Sequence, residues 1–422
     1  MARWFGRREL PHPKPVQKVE LSEEKIGLRF VIVAILIIIA VVSFTYGIRA
    51  FLTVNKGWTE IKTNSSADTN IGNEFVFMYN LGSGDMSATA ENKILVSLYS
   101  DVMVDAYELF HTNEEFEHVN NVCYINQHPN EEIVVDTMLY QAFSLLHEYK
   151  DRNIYLAPVV TIYNDIFYCE DDAQTLDYDP YLNTEIAVYY TKIAEYAKDE
   201  NTINIQLLGN NKIKLLVSDD YLDYCEENDI TDFIDFSWMK NAFVVDYLAK
   251  ILSDKGFTHG TISSYDGFSR NLDDGGTEFS HNIFDTLNGD FCKVATMQYA
   301  GVKTIVNMRK FPINALDAYR YYSYDNGDVR NLYLDIEDGM CKSVVNSLYA
   351  YATDYGCAEI MLQLSPIYIA DQFSEDSLSA LSKKGIFSIY CEDSAIVYND
   401  EKLELKDIYV NENVTYQKQL QK

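Results

Sequence analysis

The sequence predicts an α+β protein: a mixed α/β domain with a β-rich second part, preceded by one N-terminal transmembrane helix. Three observations carry this reading. Phe30 to Ile48 is a run of nineteen residues without a charge, long enough to cross the hydrocarbon core as a helix. Residues 234–268, IDFSWMKNAFVVDYLAKILSDKGFTHGTISSYDGF, read as strand, helix, strand. Beyond Ser269, short apolar strand candidates follow closely, punctuated by Asn288-Gly289, Ala300-Gly301 and Asn326-Gly327, which are turn signals.

With 422 residues, 47% of them hydrophobic, the chain has enough material for one large or two ordinary domains. Its 33 tyrosines suit β-rich surfaces and interfaces. The net charge of −30 speaks against nucleic acid as a partner, because phosphate contact needs clustered Lys and Arg. Seven cysteines stand singly, with no CxxC and no Cys/His cluster at zinc spacing. We read most of them as small buried hydrophobes, with at least one free thiol from the odd count.

In chain order, residues 1–29 form a basic arm with seven basic and four acidic residues, a net +3 that leaves −33 for the remainder. The positive-inside rule keeps this arm in the cytoplasm and sends the rest across the cell membrane. A cleaved signal peptide is the rival reading. The arm is long, the apolar run exceeds a usual signal core, and no small-x-small site follows, so residues 30–48 read as an uncleaved, single-pass signal anchor. Residues 49–74 are polar and read as a stalk, 75–400 as the extracytoplasmic domain, and 401–422 as a charged, frayed tail.

Within the domain, Phe75 onward looks like a strand running into a glycine turn. Ala88–Phe110 has apolar residues at helical spacing (Ile94, Leu95, Leu98, Val102, Ala106, Leu109). Ile133–Val135 reads as a short strand, Leu139–Tyr149 as a helix and Tyr155–Val160 as a strand. Tyr168–Tyr181 is an acidic, aromatic loop without calcium-loop spacing. Thr184–Ala197 reads as a helix, and Ile203–Leu208 with Lys212–Val217 as a hairpin around Gly209-Asn210-Asn211. In the central run, Phe243, Leu248, Ile251 and Leu252 make a helical stripe that Gly256 ends. Phe257–Ile262 follows as a strand and Ser263 to Gly267 as a turn. Residues 270–282 read as a hydrophilic loop. Strand candidates then cover 283–284, 294–299, 302–306, 319–324 and 329–335, and Gly385–Val397 gives one more strand and a turn.

The central run resembles the signature of the FAD:protein FMN transferases, the ApbE family: Asp-Leu-Gly-Gly-Ile-Ala-Lys-Gly-Tyr-Ala-Val-Asp, a helix, and a strand ending in Asn-x-Gly-Gly. Without a gap, Asp235 and Asp246 fall on its two aspartates, and Phe243 and Val245 on its Tyr and Val. Ser237 and Trp238 replace the first glycine pair, Asn241 the Lys, Ala242 the following Gly, and Tyr265 with Asp266 the second pair. Lys240 lies one position early, turned roughly 100° on a helix. Tyr124-Ile125-Asn126, the short strand and the helix after it follow the family's order of elements. Leu332–Gly339, LYLDIEDG, resembles the second motif, His-Ile-x-Asp-Pro-x-Thr-Gly; Asp335 and Gly339 match, while Leu332 stands for the His. Ala370-Asp371-Gln372-Phe373-Ser374-Glu375 resembles Ala-Asp-x-x-x-Thr, a third element that follows a strand and opens a helix, with Glu375 for the Thr.

The resemblance implies FAD and Mg2+ as cofactors. It puts cofactor contacts at Asp235, Ser237, Asn241, Asp246, Ser263 and Ser264, and a cation between Asp371 and Glu375. Two carboxylates at i, i+4 share a helix face and suit a hard cation; they equally suit the first turn of a helix through its dipole. No catalytic residue is assigned, because bare backbone amides, the Lys charge and the motif His are all replaced. The expected function is a non-catalytic surface protein that binds a flavin or nucleotide, or assembles with a flavin-carrying redox subunit or another surface protein. The alternative is an active transferase attaching FMN to Ser or Thr of a membrane redox protein.

Overall fold

The structure, a computed structural model, describes residues 26–64, 71–287 and 289–421. It divides into two units, residues 1–54 and 55–422. The first contains a helix, Ile26–Leu52, that is solvent-facing over the whole length whose side chains are described and has Ile, Val and Leu on every side. Residues Ile26–Ile48 are long and apolar enough to cross a membrane. The charged part of the basic arm before Ile26 lies outside the described residues.

The second unit is built on a nine-stranded sheet. Its strands run in the spatial order Gly57–Ile61, Phe75–Leu81, Gly260–Ser264, Phe268–Asn271, Lys303–Arg309, Ser347–Ala352, Phe387–Glu392, Ala395–Tyr398 and Gln417–Leu420. All neighbours are antiparallel except the last pair. Helices Ala88–Leu109, Lys240–Asp254, Cys357–Tyr368 and Glu375–Ser382 pack along it in turn. Ile305, Tyr349, Tyr351, Ile389 and Cys391 alternate with the helix-facing positions. They form a core with Ile283, Val294, Met297 and Leu405 of a three-stranded sheet, Glu278–Leu287, Asp290–Ala300 and Glu404–Lys406. A second three-stranded sheet joins Glu132–Val134 to the hairpin Ile203–Gly209/Lys212–Val217. Gly209, Asn210 and Asn211 turn that hairpin at positive φ, as such turns require.

Several expected elements differ. Gly57–Ile61, assigned to the 49–74 stalk, is an edge strand paired from Gly57↔Leu81 to Ile61↔Phe77; a half-covered edge strand keeps the polar composition of a linker. Tyr155–Val160 is helical, divided between Asn153–Leu156 and Ala157–Tyr163. A short buried apolar run does not separate strand from helix, but Pro158 in the first helical turn does. The central run has no strand before its helix: Asp235 makes one backbone bond to Ile154, and Ser237–Met239 is a single 3₁₀ turn. The expected loop 270–282 shrinks because strands extend to Asn271 and from Glu278. Gly385–Val397 holds two strands, and the 401–422 tail contributes two more, Glu404–Lys406 and Gln417–Leu420. Ala370 follows the helix Cys357–Tyr368 rather than a strand.

Candidate functional site

The N-terminus of helix Lys240–Asp254 and the Ser264–Phe268 turn bring together the chemistry the central run carries. Ser237 takes φ +44, the left-handed backbone that a glycine adopts freely and a serine at a cost of about 1 kcal/mol. That turn drives Trp238 inward, where it is only 5% exposed and packs edge-on against Tyr333 at 5.1 Å. Across from it, Gly267 lets the hairpin turn lie against the next strand. A Cβ there would stand 2.2 Å from the Asn307 carbonyl oxygen.

Between these turns lies an ionic cluster in which Asn241 Oδ1 and Asp266 Oδ1 are buried without a hydrogen-bond partner among the described residues. The buried Asn241 amide donates to Glu74 Oε2 at 2.8 Å and to Asp266 Oδ2 at 2.9 Å. Arg320 bridges the same two carboxylates, at 3.3 Å to Glu74 and 3.2 Å to Asp266. Lys240, turned away from Asn241 by one position, reaches Glu74 Oε1 from the outer side at 3.6 Å. Burial would raise the Glu74 pKa, but Lys240, the Asn241 amide and Arg320 overcome it and hold the group below its usual value. Two carboxylates thus meet two cations, and no charge is left over.

The remaining cavity at this point is about 10 Å³, lined by Trp238, Asp266, Arg320, Tyr321, Asn331, Leu332 and Tyr333. It has room for one water at most. Trp238, Asp266 and Leu332 come from the three stretches that resemble the first glycine pair, the second pair and the His motif, so the fold does bring those positions together. The space they enclose does not fit an FAD diphosphate, which would also face two carboxylates already bonded to Arg320.

The other expected contacts are dispersed. Asp235, its pKa raised by burial, accepts from the Ser237 N–H at 2.7 Å and borders a cleft of about 340 Å³ with Ser237, Lys240, Glu74 and His111. Asp246 faces the other way. Its two oxygens each accept a backbone N–H of helix Cys357–Tyr368, from Cys357 and Ala358 at 2.8 Å, and Arg270 pairs with it at 3.0 Å. Gly356 leaves room for this, since a Cβ there would be 2.4 Å from Asp246 Oδ2. Ser263 bonds to Ser269 at 2.7 Å, and the Ser264 hydroxyl accepts the Phe268 N–H at 3.1 Å, so both knit the hairpin.

The expected cation pair is also rearranged. Helix Glu375–Ser382 begins at Glu375 with Ser374 as its N-cap, which leaves Asp371 outside the helix and removes the shared face. Glu375 instead accepts from the Tyr390 hydroxyl at 3.0 Å and from Gln421 at 3.2 Å. Asp371 binds Lys342, whose Nζ lies 2.9 Å from Asp371, 2.8 Å from Asp335 and 2.8 Å from Asp338. Burial would lower the Lys342 pKa, yet the three carboxylates hold it well above its ordinary value. A permanent ammonium therefore sits where carboxylates from the second and third motifs converge, and a divalent ion does not fit beside it. Lys342, Arg320 and Glu74 carried no sequence signal toward this site, because their partners come from distant parts of the chain.

Lys342 also borders a cleft of about 530 Å³ with Lys310, Arg330, Asn331, Tyr181 and Asp371. Arg330 is paired with buried Asp179 at 2.9 Å and lies over the Tyr181 ring.

No family model matches the sequence, and no curated protein does. Among solved structures, the ApbE protein of Thermotoga maritima superposes with a TM-score of 0.51 at 13% identity, over 83% of this chain and 97% of its own. The flavin transferase ApbE of Vibrio cholerae superposes with a TM-score of 0.49 at 13% identity, over 79% of this chain and 92% of its own. The first of these likenesses shows an ApbE-like fold, and at that identity it shows the fold alone.

Proposed function

We propose that this chain is a membrane-anchored, extracytoplasmic protein that uses an ApbE-like fold without FMN transfer, as an assembly partner of a flavin-carrying redox subunit or another surface protein. The observation that carries the reading is the cavity of about 10 Å³ where Trp238, Asp266 and Leu332 meet. FMN transfer needs a diphosphate against backbone amides, positive charge on its oxygens and an acceptor for the hydroxyl proton. Here Trp238 fills the first place, Arg320 is committed to Glu74 and Asp266, and Leu332 accepts no proton. Lys342 supplies internally the positive charge that Mg2+ would otherwise bring to Asp335 and Asp371.

A second reading, retention of a flavin or nucleotide without chemistry, has one observation in its favour. The 530 Å³ cleft is bordered by the three cations Lys310, Arg330 and Lys342 against the two carboxylates Asp328 and Asp371, in an otherwise acidic protein. Absorbance of the purified chain separates the two, since a retained flavin colours it.

The deciding experiment incubates the full chain in detergent micelles with FAD, Mg2+ and a peptide carrying a flavinylation sequence, with an active transferase as control. Mass spectrometry should find the peptide unmodified. Covalent FMN on its Ser or Thr over many turnovers would instead establish an active transferase with other residues in these roles.

A further inference from the structure

The central hairpin has a second end. Strands Gly260–Ser264 and Phe268–Asn271 meet at the Tyr265-Asp266 turn on one side. About 16 Å of strand away, His259 precedes the first strand and Asp273-Asp274 follow the second. One ligand atom from each of His259, Asp273 and Asp274 lies within 4.8 Å of the other two. Backbone bonds hold them in place: Asn80 N–H to the His259 carbonyl and Leu272 N–H to the Gly260 carbonyl, both at 2.9 Å. The Asp273 N–H is held by the Asn271 side chain at 3.1 Å.

We infer that His259, Asp273 and Asp274 form a binding site for a divalent transition ion of the Zn2+ or Mn2+ kind. His259 Nδ1 and Asp273 Oδ1 lie 3.0 Å apart as a hydrogen-bonded pair, so a small shift with loss of the shared proton would set both about 2.1 Å from one ion. Independently, Asp273 is 3% exposed and its Oδ2 is buried without a well-aligned hydrogen-bond partner among the described residues, the Thr277 hydroxyl being the side-chain donor beside the carboxylate apart from His259. A buried carboxylate oxygen is costly to leave unpaired, and a metal ion satisfies it. One imidazole nitrogen with two carboxylate oxygens selects Zn2+ or Mn2+ over Mg2+ or Ca2+, which favour all-oxygen shells. Asp274 is exposed and His259 half-buried, so the ion can enter from solvent and keep water in its open positions.

The test uses the full chain in micelles, stripped with a chelator and titrated with ZnCl2, MnCl2 or MgCl2 while its melting temperature is followed. Zn2+ or Mn2+ should raise the midpoint by mass action, and Mg2+ at the same concentration should not. Asp274→Asn, at an exposed position that leaves the fold intact, should weaken the binding by about tenfold or more, as loss of even a supporting residue does. His259→Gln and Asp273→Asn should do the same or more. Absence of any rise at millimolar Zn2+ and Mn2+ would overturn the site. So would a rise that survives unchanged in Asp274→Asn and His259→Gln, because the ion would then be bound elsewhere, for instance by the free thiols.

Discussion

Lys342 makes a test possible at a single residue. Its ammonium is the common partner of Asp335, Asp338 and Asp371, and Asp335 and Lys342 are largely shielded from water. Removing one partner of a buried ionic group strands the others and costs roughly 3–5 kcal/mol. Asp338 is partly and Asp371 largely exposed, so water screens both and moves Lys342→Met to the lower end or below it. Three converging carboxylates without a cation are then a hard-ion site. Millimolar Ca2+ or Mg2+ should therefore restore much of the melting temperature lost by Lys342→Met and leave the unsubstituted chain unchanged. A variant indifferent to both ions would show that the three carboxylates do not close around an ion. At this scale the sequence was legible only in part. Asp335, Gly339 and Asp371 could be matched to motif positions, but which cation they meet depends on a side chain whose partners come from two separate loops. Arg320 is legible still less, since its partner Glu74 lies 246 residues away.

Among the elements, helices with a clean stripe were readable and context-dependent segments were not. Helix Lys240–Asp254 and the hairpin around Asn210 carry local signals strong enough to stand alone. Residues 155–160 and the strands of the 401–422 tail do not: the first is an apolar run buried on all sides, the second polar segments whose pairing is supplied by strands far away. Asp246 shows why a motif match does not fix a role. It sits at the expected position of helix Lys240–Asp254, but it caps a neighbouring helix. Asp246→Ala should remove a cap worth about 1 kcal/mol and leave Arg270 without its carboxylate, for a total loss of roughly 3 kcal/mol. Asp246→Asn should keep one acceptor for the two N–H groups and lose less. Urea denaturation of both variants checks this, and equal stability in all three chains would show that the cap contributes nothing.

For the whole molecule, we propose that Ile26–Ile48 crosses a membrane, and the question is which side the second unit then occupies. The arm before the apolar helix carries +3 and the remainder −33. Cytoplasmic leaflets are rich in anionic lipid, which attracts juxtamembrane Lys and Arg by about 1 kcal/mol each and repels acidic surfaces. The arm therefore favours the orientation with the arm inside and the second unit outside. The basic residues lie close to the helix, within the range over which charge sets topology, whereas the acidic residues are spread over a large domain and add little. Orientation thus rests on the arm. Protease added to intact cells should remove an epitope at the C-terminus and spare one at the N-terminus. Replacing Arg3, Arg7, Arg8, Lys14 and Lys18 by Gln should make a fraction of the chains insert the other way round and protect their C-terminal epitope. Protection of the C-terminal epitope in the unsubstituted chain would place the domain in the cytoplasm and, with it, remove extracytoplasmic flavin-carrying subunits as partners.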